Sequence, residues 1–178
     1  MRVFLYNDDD GHKKGGTSFI EDGLRRTFPE RKIGVFKDEK GKPHTDDPAV
    51  FVSVSHCSAG VVCAVSDRPV GIDIENLDRR VGADRISARF FTQEERLFVE
   101  EGGDRAFLEV WVRKEAWAKL EGSGLSYGLG KIQTVRLAGG RPVLSDKVNG
   151  TPVVSGVRGS FVYCIAGEGD AEWTDVLR

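Results

Sequence analysis

Val70-Gly71-Ile72-Asp73-Ile74-Glu75 alternates strictly between apolar and other residues. That period predicts a short strand with Val70, Ile72 and Ile74 on one face. Asp73 and Glu75 share the opposite face, roughly 6.6 Å apart along the chain. Two adjacent carboxylates repel each other unless something positive lies between them. One reading is the solvated outer face of an amphipathic strand. The other is a pair of oxygen donors for a divalent cation, for which Mg²⁺ is suited. A lone D-x-E does not choose between them, and the choice turns on residues 107–119.

The chain has 178 residues, a length that fits one domain with a sizeable core. Its formal charge of −2 gives no bulk basic field, so neither nucleic acid nor a membrane surface is an expected partner. Cys57, Cys63 and Cys164 have no C-x-x-C spacing and read as small apolar residues in a reducing compartment. Met1 to Tyr6 is a short apolar run that meets Asp8, Asp9 and Asp10 at once, unlike a signal peptide. No apolar run approaches membrane-spanning length. The expected location is the cytoplasm.

Reading in order, Arg2 to Tyr6 is a strand and Asn7 to Gly16 a polar loop carrying Lys13 and Lys14. Ser18 and Glu21 have capping-box spacing for a helix to about Phe28. Ile33 to Phe36 is a short strand, and Lys37 to Pro48 a charged loop. Val50 to Val54 and Gly60 to Val65 pair as a hairpin, with Ser55-His56 at the end of the first strand. Asn76 to Arg89 reads as loop plus a short helix rich in arginine. Arg79, Arg80, Arg85 and Arg89 are either a solvated face or a face for an acidic partner. Thr92 with Glu95 starts a helix to about Glu101, and Gly102-Gly103-Asp104 breaks it. A second helix runs from Arg105 to about Glu121, closed by Gly122. Strands follow near 132–137, 142–145, 151–156 and 160–166.

On a helical wheel Phe107, Val110, Trp111, Trp117 and Ala118 share an apolar face. Glu115 and Lys119 sit four apart on its edge. They are either a surface ion pair worth a few tenths of a kcal/mol or part of a site. Lys114 falls within the apolar stripe, so its stem snorkels out or it has an anionic partner. A third carboxylate at Glu115 would complete a ligand set with Asp73 and Glu75, and Lys119 one turn on could meet a phosphate.

Six short motifs occur in order: Gly41-Lys42-Pro43, Ser55-His56, Val70 to Glu75, Arg89-Phe90-Phe91, Trp111 to Lys119, and Gly122-Ser123-Gly124-Leu125. In this order and spacing the chain resembles the 4′-phosphopantetheinyl transferase family, of the surfactin-synthetase-activating type. The resemblance is close over roughly residues 33–126. Val112, Ser53 and Cys57 depart from the family's usual residues, and the stretch ahead of Gly41 is several tens of residues shorter than usual.

The resemblance implies an α+β fold in a single domain, 1–178. It implies two similar halves, roughly 1–75 and 76–178, each a helix packed on a small antiparallel sheet, with the active site at their junction. It implies Mg²⁺-dependent transfer of 4′-phosphopantetheine from coenzyme A to a serine of an apo carrier protein, acyl or peptidyl, with release of 3′,5′-ADP. Such carriers serve fatty-acid, polyketide or nonribosomal peptide synthesis. Asp73, Glu75 and Glu115 would hold the metal, with Glu115 also the base and Lys119 facing the leaving group. Lys42, Ser55, His56, Lys119 and Lys13 or Lys14 would bind coenzyme A. A fused two-half fold allows a monomer. Two other readings are a Mg²⁺-dependent phosphotransferase or nucleotide hydrolase without a carrier, and a non-catalytic carrier-protein binder.

Overall fold

The computed structural model describes residues 1–6, 16–80, 82–123 and 128–176. Its strands form two four-stranded sheets and two small hairpins. Sheet one contains β1 (Arg2–Tyr6), β4 (Phe51–Cys57), β5 (Gly60–Ser66) and β12 (Glu172–Val176), ordered β12-β1-β5-β4. Sheet two contains β6 (Gly71–Asn76), β9 (Lys147–Val148), β10 (Thr151–Arg158) and β11 (Phe161–Ala166), ordered β6-β11-β10-β9. The hairpins pair β2 (Val35–Lys37) with β3 (Pro43–Thr45), and β7 (Val135–Ala138) with β8 (Arg141–Leu144). The helices are α1 (Gly16–Thr27), α2 (Ala83–Phe90) and α3 (Gln93–Glu121).

This is an α+β fold in which each sheet carries one helix. Phe19, Ile20 and Leu24 of α1 pack on Phe4, Val52, Cys63 and Val65 of sheet one. Phe107, Val110 and Trp117 of α3 pack on Val153, Val162, Cys164 and Ala166 of sheet two. The remaining faces meet in a third core, where Val3, Leu5, Val62 and Ala64 oppose Ile72, Ile74, Phe161 and Ile165. Both faces of β6 are therefore covered. The expected strand is present, but the face bearing Asp73 lies under α3 instead of in water.

Three strands differ from the sequence reading: β3 lies inside the stretch read as a charged loop, and β9 and β12 have no counterpart in it. β12 runs parallel to β1, so sheet one is mixed while sheet two is antiparallel. Sheet membership also crosses the 75/76 division, because β6 pairs with β11 and β12 with β1. The hairpin β4–β5 forms as its alternation predicts. Among the described residues helix α1 includes Gly16 and Thr17, ahead of Ser18.

The capping residues of α3 behave as expected. Thr92 and Glu95 form both bonds of a capping box, and Gly122 closes the helix at φ 67°. Gly103, at φ 64° and ψ −151°, kinks the helix where the two predicted helices were to separate. Among the described residues no helix is long and apolar enough to cross a membrane.

Candidate active site

Gly71 sets the position of α3 on β6. A Cβ there would lie 1.9 Å from the carbonyl oxygen of Ala116 and 2.6 Å from the nitrogen of Leu120. Only glycine permits so close an approach of the two backbones. The approach brings Lys119 onto Asp73, two residues along the strand. The Lys119 ammonium donates to Asp73 Oδ1 at 2.7 Å and to the Ile72 carbonyl at 3.1 Å. Asp73 is 5% exposed, and its Oδ2 has no hydrogen-bond partner among the described residues.

β4 supports the same carboxylate from the other side. Ser55 Oγ donates to Asp73 Oδ1 at 2.7 Å and accepts the Ile74 N–H at 3.3 Å. Ser53 Oγ accepts the Ile72 N–H at 3.1 Å. Two serine hydroxyls thus do along the β4–β6 seam what strand carbonyls do within a sheet. Ser55 is expected from the sequence to bind coenzyme phosphates; in the structure it is buried and its hydroxyl donates a hydrogen bond to Asp73.

A cavity of about 240 Å³ opens in front of this seam. The hairpin turn (Lys40 to Pro43), β4 (Val52 to Val54) and the end of α3 (Glu115, Ala118, Lys119, Gly122) line it. Burial raises the Glu115 carboxyl to about 7, and the negative charge of Asp73 adds to that. Lys119 opposes the rise and Glu75 contributes to it. The Lys42 ammonium reaches the Leu120 carbonyl at 2.5 Å, a cation at the negative end of α3. Burial lowers its pKa.

Glu75 and His56 do not line this cavity but an adjoining depression of about 410 Å³, with Cys57, Ser58, Asn76, Asp78 and Arg79. The Glu75 carboxylate accepts from Arg79. The three carboxylates expected to hold a metal therefore do not form a preformed cluster. Among the described residues no three His, Cys, Asp or Glu side chains converge for an ion. Asp73 Oδ1 accepts from Lys119 and Ser55, and Glu75 accepts from Arg79. The chemistry of the donor set nevertheless fits a hard cation. Asp73 keeps a buried, unpartnered oxygen, and Asp73, Glu75 and Glu115 are near enough for their charges to act on one another. Lys13 and Lys14 lie outside the described residues.

Lys114 takes the second of its two sequence readings. It is fully buried, its ammonium 2.8 Å from Glu95 Oε2 and 2.8 Å from the Leu129 carbonyl, and it also donates to Ile132. Glu95 Oε1 accepts from the N–H and hydroxyl of Thr134. The capping glutamate at one end of α3 is thus the counter-ion for a lysine in its middle, which holds residues 129–134 against the helix. An unpaired lysine in an apolar stripe signalled that need, but not which acid would meet it.

The family model for the 4′-phosphopantetheinyl transferase superfamily matches residues 69–166, more than half of the chain and the part that carries β6 and α3. The chain belongs to that superfamily, and its relatives agree with the type its motifs resemble. It is 34% identical over 117 residues to the 4′-phosphopantetheinyl transferase gsp of Aneurinibacillus migulanus, covering 60% of this chain and 48% of that protein. It is 39% identical over 116 residues to the 4′-phosphopantetheinyl transferase psf-1 of Bacillus pumilus, covering 62% of this chain and 48% of that protein. The chain thus spans about half the length of these curated relatives. The crystal structure of Thermotoga maritima holo-[acyl-carrier-protein] synthase is 23% identical, with a TM-score of 0.41 over 55% of this chain and 61% of that one.

Proposed function

We propose that this protein transfers 4′-phosphopantetheine from coenzyme A to a serine of an apo acyl or peptidyl carrier protein, releasing 3′,5′-ADP. The observation that carries the reading is the cavity in which Glu115 and Lys119 stand side by side, with Asp73 behind Lys119. Attack of an alcohol on a diphosphate needs mainly positioning and charge stabilisation. Glu115, on the cavity lining, accepts the proton of the carrier serine. Lys119 faces the charge that develops on the leaving 3′,5′-ADP. Lys42 brings a second positive charge to the same wall for the donor's phosphates. Asp73 and Glu115, with Glu75 once freed from Arg79, would hold Mg²⁺, which supplies Lewis acidity and charge neutralisation at the diphosphate. His56, exposed beside Glu75, binds coenzyme A phosphate from the adjoining depression.

The test is incubation with coenzyme A, Mg²⁺ and an apo carrier protein, followed by the intact mass of the carrier. A gain of one phosphopantetheine is the expected result. Release of phosphate with no change in the carrier would instead make the protein a hydrolase.

A further inference from the structure

Lys119 and a divalent cation have a claim on the same carboxylate. The ammonium is 2.7 Å from Asp73 Oδ1 and is tethered there by a second bond to the Ile72 carbonyl. Ser55 occupies the same oxygen, so Oδ2 is the oxygen left over. Any cation on Oδ2 stands a few ångströms from a fixed positive charge in a half-buried site. Such repulsion is enough to weaken cation binding by about tenfold or more. A diphosphate reverses the balance, because it places negative charge against both the cation and the ammonium.

We infer that Lys119 makes the cation site of Asp73 and Glu115 weak by itself and strong only together with the donor's diphosphate. Cation and coenzyme A then bind cooperatively, and by linkage each tightens the other by the same factor. The inference rests on the function proposed above. Its consequence is that the protein does not load metal ahead of donor. The lysine that meets the leaving group also holds Asp73 in charge balance until the donor arrives.

The probe is Mn²⁺, titrated by calorimetry into the full chain with and without coenzyme A and with no carrier present. Wild type should bind Mn²⁺ weakly alone and at least about tenfold more tightly with coenzyme A. Lys119→Met keeps the side-chain length and removes the charge. It should bind Mn²⁺ alone about tenfold more tightly than wild type and gain less from coenzyme A. Lys119→Arg should behave as wild type, and Asp73→Asn should lose the site. Thermal melts confirm folding of each variant, with Lys119→Gln in place of a Met variant that does not fold. Mn²⁺ binding by Lys119→Met no tighter than wild type, or coupling unchanged by the substitution, overturns the inference. The carrier-mass assay on wild type keeps the two ideas separate. Transfer without the gain in Lys119→Met removes this inference alone. Neither transfer nor Mn²⁺ binding with coenzyme A removes both.

Discussion

At the scale of single residues, Glu115 and Ser55 make distinct predictions. Glu115 holds its proton up to about 7 in the folded protein, against 4.5 for an ordinary glutamate. Between those values the folded state binds more protons than the unfolded state, so stability falls as pH rises through this window. Thermal melts in chelator across it should show the decline in wild type, with Glu115→Gln removing about 1–3 kcal/mol of it. Equal slopes in both proteins would mean that Glu115 ionises as it does in the unfolded chain. Ser55→Ala strips Asp73 of one donor and leaves the Ile74 N–H without its acceptor. It should cost about 1–3 kcal/mol. In the transfer assay it should lower kcat and leave KM for coenzyme A nearly unchanged. A rise in KM alone would return Ser55 to the coenzyme.

At the scale of elements, the seat of α3 on β6 is the contact on which the site depends. Gly71→Ala drives a methyl group into the Ala116 carbonyl. Neither backbone can give way without moving the helix, so the cost should reach about 3 kcal/mol or more. Activity should fall further than stability, because Glu115 and Lys119 ride on the displaced helix. Urea titration beside the carrier-mass assay checks both. The buried Lys114–Glu95 pair fixes the same helix to residues 129–134. Lys114→Met leaves a buried carboxylate uncompensated and should cost about 3–5 kcal/mol. Pairing it with Glu95→Gln should recover part of that loss, a coupling that urea titration of the single and double variants measures directly.

At the scale of the whole molecule, β12 ties the two sheets together. Its backbone extends sheet one beside β1, while Trp173 packs on Tyr163 of sheet two at 5.0 Å between ring centroids. Arg158 lies over the Trp173 ring and binds both oxygens of Asp175 at 2.9 Å. Trp173→Ala should destabilise the fold by about 1–3 kcal/mol. Faster amide exchange should appear in β10 and β11 as well as in β1. Exchange confined to β12 would show that the sheets hold together without it.

The periodic and capping signals in the sequence determined β6, the β4–β5 hairpin and the limits of α3. These depend on neighbours a few residues apart. So does the placement of Glu115 and Lys119 on one helical edge, since i,i+4 spacing is fixed by the helix itself. The sequence motifs likewise pointed to the family. What no local pattern encodes is which distant group meets which. Only the tertiary structure decided that Lys119 pairs with Asp73, that Glu95 answers Lys114, and that Ser55 serves Asp73. It also decided that Glu75 turns to Arg79, and that β12 returns to sheet one. Apart from Glu75–Arg79, which are four residues apart, each is a contact between segments far apart in the chain, made by backbone approach at Gly71 and by burial, which makes an unpaired charge costly.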